Sequence, residues 1–320
     1  MKAIMYHYIR PSQNDFPFFK YLHVDDFLSQ LDWFGKEFGF LSKKDFLKSI
    51  QEGVPRKGIV LTFDDGLSDH YDHVFPILQS KGLWGIFYIP TGFYQSQKIL
   101  DVHRIHLLLG RRGGIELLKA LTRILNTEML SHIDIENFKK TTYAFQTNDT
   151  ATTIFKKTLN YYISYEWREK ILNQLMNLFF SNTQNVNKSI YVTPKQIKIM
   201  HEAGMVIGSH SVNHFVFSKL DITAQIIEIK ESFRLLEAFT QEKPYTFCYP
   251  YGGFHSFTHD TEQILCEEGS IFSFNVEPRD ITLHDLQSRP QALPRYDCNM
   301  FPFGKVSTGP IEKTIHKPQN

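Results

Sequence analysis

The 320-residue sequence predicts an α/β fold with parallel strands and an inserted helical subdomain. Short apolar runs alternate with helical periodicity over residues 1–100 and 191–303, and this alternation indicates parallel strands joined by helical crossovers. Residues 101–190 lie between these parts and show helical periodicity with little strand signal, so we expect a helical insertion there. Residues 304–320 are rich in Lys, Pro, Gly and Thr and predict a flexible tail.

The elements before the insertion are predicted from their apolar patterns. Residues 58–63 form a continuous apolar run with β-branched side chains, which is typical of a parallel strand buried on both faces. Asp25 and Asp26 are candidate caps for a helix that carries Phe27 and Leu31 on one face. The other predicted elements are a strand at 3–9, a helix through 73–78 and a strand at 84–89.

Within the insertion, Gly113-Gly114 predicts a break in a helix. Residues 147–153 are polar and predict a loop, and residues 154–180 form a long amphipathic pattern. Thr193-Pro194 opens the next helix, because proline suits the first helical turn. The elements predicted after it are a strand at 205–209, a helix at 221–239, a strand at 245–249, a helix at 258–268 and a strand at 269–276.

Composition excludes several function classes. The formal net charge is +1, so no basic surface for nucleic acid is predicted. No run of about 18 apolar residues predicts an integral membrane segment. The first residues do not resemble a secretory signal, and three cysteines are too few for a disulfide framework, so we expect a cytoplasmic protein. The sequence does not indicate an oligomeric state.

Two pairs of potential metal ligands follow predicted strands. Asp64 and Asp65 come directly after one strand, and His210 and His214 come after another. The carboxyl ends of parallel strands lie on one face, so we expect both pairs to meet. Two imidazoles and one carboxylate leave coordination positions open, as in a catalytic zinc site. Co, Ni, Mn and Fe are alternative ions.

Neighbouring acids in an extended segment point in opposite directions. One of the two aspartates can therefore bind the metal while the other accepts a proton from the attacking water. Each pair alone has a simpler interpretation, since Asp-Asp-Gly is common in turns and the chain has 14 His. Because both pairs follow predicted buried strands, we favour a site for amide hydrolysis.

Three segments resemble the signatures of polysaccharide deacetylases, the NodB-homology or carbohydrate esterase 4 family. They are residues 61–66 (LTFDDG), 208–214 (GSHSVNH) and 249–252 (YPYG). The resemblance covers about 1–100 and 191–300. It implies a distorted (β/α) barrel of about seven strands and an N-acetylated saccharide as the substrate.

The resemblance also implies roles for individual residues. Asp64 would be the general base, and the backbone N–H of Tyr251 would bind the oxyanion of the tetrahedral intermediate. Pro250 would fix the backbone at this edge of the site and contact substrate. The implied ligands of the divalent metal are Asp65, His210 and His214.

The third signature departs from the family pattern at its first position. The family has an arginine there that orients the catalytic acid, whereas this chain has Cys248. Arg295 is our candidate replacement as the partner of Asp64. A surface ion pair between Arg295 and Asp297 is the alternative. Cys248 itself is expected to be a buried thiol rather than a nucleophile.

Several histidines are weaker candidates. His284, in a Leu-His pair like that of the family's general acid, is a candidate proton donor. His7 follows the first strand and is a candidate substrate-binding residue, although a core histidine is the alternative. Asp101, His103 and His106 stand at the start of the insertion and are candidates for substrate binding.

The sequence therefore predicts a metal-dependent deacetylase of amino sugars. The expected substrate is a saccharide, nucleotide sugar or lipid-linked glycan, with a role in surface polysaccharide biosynthesis. One alternative is a metal-dependent amidase acting on a non-sugar substrate. Another is a non-catalytic carbohydrate-binding protein with a degenerate site. The insertion would either shape the substrate cleft or serve packing and oligomerisation.

Overall fold

A computed structural model describes residues 1–12, 15–130, 142, 148–180 and 190–308. Its strands are β1 (Lys2–Tyr6), β2 (Ile9–Arg10), β3 (Lys20–His23), β4 (Ile59–Phe63), β5 (Ile86–Ile89), β6 (Val206–Ser209), β7 (Thr246–Cys248), β8 (Phe272–Phe274), β9 (Tyr296–Asp297) and β10 (Ser307–Thr308). Its α-helices are α1 (Val24–Glu37), α2 (Lys43–Glu52), α3 (Phe75–Ser80), α4 (Gly92–Ser96), α5 (Asp101–Ile124), α6 (Thr150–Lys157), α7 (Tyr165–Phe179), α8 (Pro194–Glu202), α9 (Ile222–Thr240), α10 (His259–Glu267) and α11 (Leu283–Ser288). Two π-helical segments, His70–Val74 and Thr158–Tyr162, and four 3₁₀ turns complete the described elements: Thr127–Met129, Phe217–Lys219, Pro290–Ala292 and Cys298–Met300.

Seven parallel strands form the central sheet, in the order β8-β7-β6-β5-β4-β1-β9. The segment that contains β9 reaches both edges of this sheet. Leu293 pairs with Phe274 of β8, and Tyr296 pairs with Ile4 of β1. The sheet therefore curls into a distorted barrel, which confirms the predicted fold class.

Successive strand residues point to opposite faces of the sheet, and both faces are apolar. All five residues of β4 are buried, as predicted for this run. Leu61 and Phe63 pack outward against the helices, where Phe63 stacks on Phe87 with ring centroids 4.7 Å apart. Val60 and Tyr88 belong to the cluster that fills the barrel interior. This double burial explains the continuous apolar run in the sequence.

Helices α5, α6 and α7 enclose an apolar cluster that also takes in Phe19 and Tyr21 from the N-terminal part of the chain. The predicted break is confirmed, because Gly113 has a φ of 71° inside α5. The amphipathic pattern over 154–180 corresponds to more than one helix. It divides into α6, a π-helical segment and α7, because Ile163 and Ser164 adopt extended backbone between them.

Other local predictions also change. His23 rather than an aspartate caps α1, because its side chain accepts from the Asp25 N–H. The predicted loop 147–153 ends early, since Asp149 caps α6 and starts it at Thr150. Within the predicted flexible tail, Ser307 and Thr308 instead form β10, which pairs antiparallel with β3. Residues 309–320 lie outside the described part. No helix of the described residues combines the length and apolarity that crossing a bilayer requires.

Candidate metal centre and catalytic site

The two pairs of sequence-predicted ligands meet at the carboxyl ends of β4 and β6. Asp64 and Asp65 directly follow β4, and His210 directly follows β6. His214 lies on the loop that continues from His210. All four residues are buried, with exposed fractions of 2%, 1%, 2% and 5% in chain order. The structure thus brings them into one site despite their separation in sequence.

Asp65, His210 and His214 have the spacing of ligands to a single ion. The Nε2 atoms of His210 and His214 each lie 3.4 Å from Asp65 Oδ1. Ligand atoms bound to a tetrahedral zinc at about 2.0–2.1 Å lie roughly 3.4 Å apart. Asp65 Oδ1 is buried and has no hydrogen-bond partner among the described residues. A buried carboxylate oxygen without a partner is costly, so a cation fits the arrangement.

Backbone strain is concentrated at this site. Asp65, Ser211, His214 and Tyr251 all have positive φ angles, of 81°, 66°, 55° and 65°. Non-glycine residues rarely adopt this region, and each such residue costs about 1–3 kcal/mol. The packed barrel holds these residues there, which aims their side chains and N–H groups in directions that regular strand ends would not provide.

Hydrogen bonds around the histidines fix their orientation. His210 Nδ1 lies 2.7 Å from the carbonyl oxygen of Cys248. When this nitrogen donates its hydrogen to the carbonyl, Nε2 keeps a free lone pair for a metal. On the loop leading to His214, the buried Glu228 carboxylate accepts the N–H groups of Val212 and Asn213 at 3.0 and 2.8 Å. Glu228 therefore holds the histidine loop in place.

The charges of the site also favour a cation. Burial would raise the pKa of Asp65, but His103 and the two other histidines outweigh it, so the pKa lies well below the usual range. Burial lowers the pKa of His214 to about 4. Burial would also lower the pKa of His210, yet Cys248 and Asp65 raise it. An ionised carboxylate buried in this way requires a positive charge nearby.

Asp64 forms a bidentate ion pair with Arg295, which the sequence named as its candidate partner. Nη1 and Nη2 of Arg295 donate to Oδ1 and Oδ2 of Asp64, each at 2.8 Å. Arg295 is completely buried inside the barrel and also donates to Thr62 Oγ1 at 2.9 Å. Burial raises the pKa of Asp64, but the charge of Arg295 outweighs it and lowers the pKa to about 2. Arg295 therefore does not form the surface ion pair with Asp297 that was the alternative.

Cys248 lies beside this ion pair rather than opposite a catalytic base. Its Sγ is 2.9 Å from Arg295 Nη2 and 3.5 Å from Asp64 Oδ2. Burial raises the pKa of the thiol, which disfavours a thiolate nucleophile. Asp64, His210 and Cys248 also cluster closely enough to hold an ion. The Arg295 guanidinium already contacts two of these three residues, and its positive charge would repel a metal there.

Helix α5 contributes a histidine that the sequence predicts only as a candidate for substrate binding. His103 on α5 is buried, and its Nε2 lies 3.2 Å from Asp65 Oδ2. Its position at the start of a helical insertion gave no indication of contact with a metal ligand. Asp101 instead pairs with Arg168 at 2.9 Å, and His106 Nδ1 lies 3.1 Å from the hydroxyl of Tyr8.

Tyr251 and His7 lie at the margin of the site. Both are partly exposed, and the Tyr251 ring packs 4.8 Å from that of His214. The Tyr251 hydroxyl donates to Asn160 Oδ1 of the insertion at 3.0 Å. Pro250, which precedes Tyr251, is buried. His7 follows β1, and its charge contributes to lowering the pKa of Asp64.

The structure does not bring His284 to the site. It is exposed in α11, a helix that packs near the start of β1. Ile281, just before this helix, donates its N–H to the carbonyl of Met1 at 2.9 Å. That end of the barrel is opposite the carboxyl ends where Asp64 and Asp65 lie, so His284 cannot donate a proton there.

Comparisons with known proteins agree with this fold. Residues 172–267 match the family model for polysaccharide deacetylase. The structure is similar to the Streptococcus pyogenes deacetylase PplD solved with acetate, with a TM-score of 0.57, 16% identity and 95% of each chain covered. It is also similar to IcaB from Ammonifex degensii, with a TM-score of 0.53 and 16% identity, and this match covers 92% of this chain and 90% of that chain. The deacetylase domain of BpsB from Bordetella bronchiseptica matches with a TM-score of 0.53 and 15% identity, and the match covers 92% of this chain and 94% of that chain. Comparison with curated protein sequences gives no significant match.

Proposed function

We propose that this chain is a member of the polysaccharide deacetylase family and a metal-dependent hydrolase that removes an acetyl group from the nitrogen of an amino sugar. The observation that carries the proposal is the arginine-paired carboxylate of Asp64 directly beside the three-ligand cluster. A divalent ion in that cluster would polarise the acetyl carbonyl and lower the pKa of a water to roughly 7. Zinc is the ion we propose. The ligands we assign are Asp65, His210 and His214.

Asp64 is the proposed proton acceptor. With a pKa of about 2, it is ionised at neutral pH and can accept a proton from the attacking water. Such a low pKa makes it a weak base, so it depends on a water that is already acidic. Arg295 positions Asp64, because its two bonds fix the plane of the carboxylate and leave a further lone pair on each oxygen.

Tyr251 and His7 are proposed to contact the substrate. The Tyr251 N–H makes no backbone hydrogen bond within the described ranges, and it is available to an oxyanion. Pro250 restricts the backbone just before it. Because His284 lies at the far end of the barrel, we assign proton donation to the leaving amine to His7, which is partly exposed and whose charge contributes to lowering the pKa of Asp64.

The substrate proposal extends to saccharides, nucleotide sugars and lipid-linked glycans, with a role in surface polysaccharide synthesis. We assign residues 101–190 to a separate inserted subdomain and residues 1–100 and 191–303 to the deacetylase barrel. The bond between Tyr251 and Asn160 supports a part for the insertion in shaping the cleft. A substrate would then contact both the barrel and the π-helical segment that carries Asn160.

The test is acetate release from a panel of N-acetylated oligosaccharides and nucleotide sugars, with simple N-acetyl amides beside them. We expect activity on a sugar, loss of that activity with EDTA, and its return with Zn²⁺. Asp64→Asn should lower kcat by about 10²–10⁴-fold and leave zinc binding intact.

Asp69→Asn is the matched control, because the Asp69 carboxylate pairs with Arg10 through two bonds of 2.8 Å away from the metal ligands. Equal turnover of simple amides would favour the amidase alternative. Zinc binding without turnover of any acetylated compound would favour a carbohydrate-binding protein.

A further inference from the structure

The two oxygens of Asp65 face different groups. Oδ1 is shared by the Nε2 atoms of His210 and His214, at 3.4 Å from each. Oδ2 lies 3.2 Å from His103 Nε2, which has no hydrogen bond of regular geometry among the described residues. His103 belongs to the insertion, and its exposed fraction is 1%. The carboxylate is therefore contacted from the barrel on one oxygen and from the insertion on the other.

A chain of hydrogen bonds favours one tautomer of His103. The Leu100 N–H donates to the Tyr191 hydroxyl oxygen at 3.1 Å, and this oxygen lies 2.6 Å from His103 Nδ1. Because the oxygen already accepts from Leu100, we assign its own hydrogen to the bond with Nδ1. Nδ1 then acts as the acceptor, and the neutral ring carries its hydrogen on Nε2, which faces Asp65.

Both ends of the insertion take part in this network. Leu100 and His103 lie at its start, and Tyr191 lies directly after its last residue. Tyr191 is held beside the Asp65 turn, because it pairs with Leu67 and its ring packs 4.6 Å from that of Phe93. The position of the His103 ring is thus tied to the turn that carries the metal ligand.

We propose that His103 is a positioning residue for the metal centre. A hydrogen bond from its Nε2–H to Asp65 Oδ2, 3.2 Å away, would leave Oδ1 as the single ligating oxygen, so metal affinity would depend on α5. Outer hydrogen bonds of this kind orient ligands, and their removal costs about 10–100-fold in metal affinity. The inference rests on the proposed function in requiring an ion at the Asp65 cluster.

The experiment measures the Zn²⁺ dissociation constant of the full chain by competition with a chromophoric chelator. His103→Ala should weaken zinc binding by about 10–100-fold. His103→Gln should recover most of the loss, because the glutamine amide can present an N–H near the position of Nε2. Tyr191→Phe should weaken binding less than His103→Ala, since it removes only the hydroxyl that selects the tautomer.

His106→Ala is the matched control, because His106 lies one turn along α5 and contacts Tyr8 rather than Asp65. It should bind zinc as the wild type does. Thermal unfolding of each variant is measured in EDTA. An unchanged unfolding temperature shows that weaker zinc binding comes from a displaced ligand and not from loss of the fold.

Wild-type zinc affinity in His103→Ala would overturn the inference alone. A loss that His103→Gln does not restore would also overturn it, because the histidine would then act otherwise than as a donor. A wild-type protein without measurable zinc affinity would instead overturn the proposed function, and this inference with it.

Discussion

Replacement of Arg295 by methionine would leave the Asp64 carboxylate buried without its counter-charge. Two hydrogen bonds of 2.8 Å join the pair, and neither side chain is more than 3% exposed. Removing one partner of such a buried pair costs about 3–5 kcal/mol, because the remaining charge is neither hydrated nor compensated. We expect the free energy of unfolding at pH 7 to fall by about this amount.

The pH dependence has a definite sign. In the wild type, Arg295 outweighs burial and lowers the pKa of Asp64 from 3.8 to about 2, which is worth about 2 kcal/mol. This stability is present above pH 4 and is lost as the pH falls through about 2. Without Arg295, burial raises the pKa of Asp64 above its unfolded value. The deficit of the variant should therefore grow as the pH rises from about 2.

Urea unfolding at pH 5 and pH 7 in EDTA measures this effect without a contribution from bound metal. Adding Asp64→Asn to Arg295→Met should restore much of the lost stability, because a neutral amide needs no counter-charge. Arg168→Met is the control, since Arg168 is equally buried but pairs with Asp101 at 2.9 Å. The reasoning is refuted if Asp64→Asn fails to improve Arg295→Met, or improves Arg168→Met as much.

Four further variants test single assignments. Cys248→Ala should keep deacetylase activity, and complete loss with normal zinc binding would point to a thiol mechanism instead. His284→Ala should leave kcat/KM unchanged, because the residue is exposed at the far end of the barrel. Glu228→Ala should weaken zinc binding by about 10–100-fold in chelator competition, because two N–H groups of the His214 loop lose their acceptor, and unchanged affinity would contradict this role. His7→Gln should lower kcat by about 10²-fold or more while zinc affinity stays normal, and a fall in zinc affinity alone would argue against proton donation.

Several features could be predicted because their causes are local. The apolar run ending at Phe63 predicts a strand buried on both faces, and β4 is buried throughout. Gly113 marks a break because glycine adopts positive φ readily. Asp64, Asp65 and the two histidines could be assigned to one face, because parallel strands end on the same side of a sheet.

Other features depend on residues far apart in sequence. His284 matched a motif by its neighbour Leu283, but the fold turns α11 toward the other end of the barrel. His103 lay in a segment with only a helical pattern, and that pattern cannot show that its ring reaches Asp65. The amphipathic pattern over 154–180 did not separate α6 from α7, because both helices share one apolar periodicity across Ile163 and Ser164.

The sequence by itself determined which residue types follow which strands, and hence the chemistry of Asp64, Asp65, His210 and His214. Only the tertiary structure decided how these groups are held. Arg295 reaches Asp64 because the segment from Leu293 to β9 closes the barrel and directs its side chain inward, across 231 positions of sequence. Strand pairing between distant segments sets that approach, and no local pattern of residues encodes it.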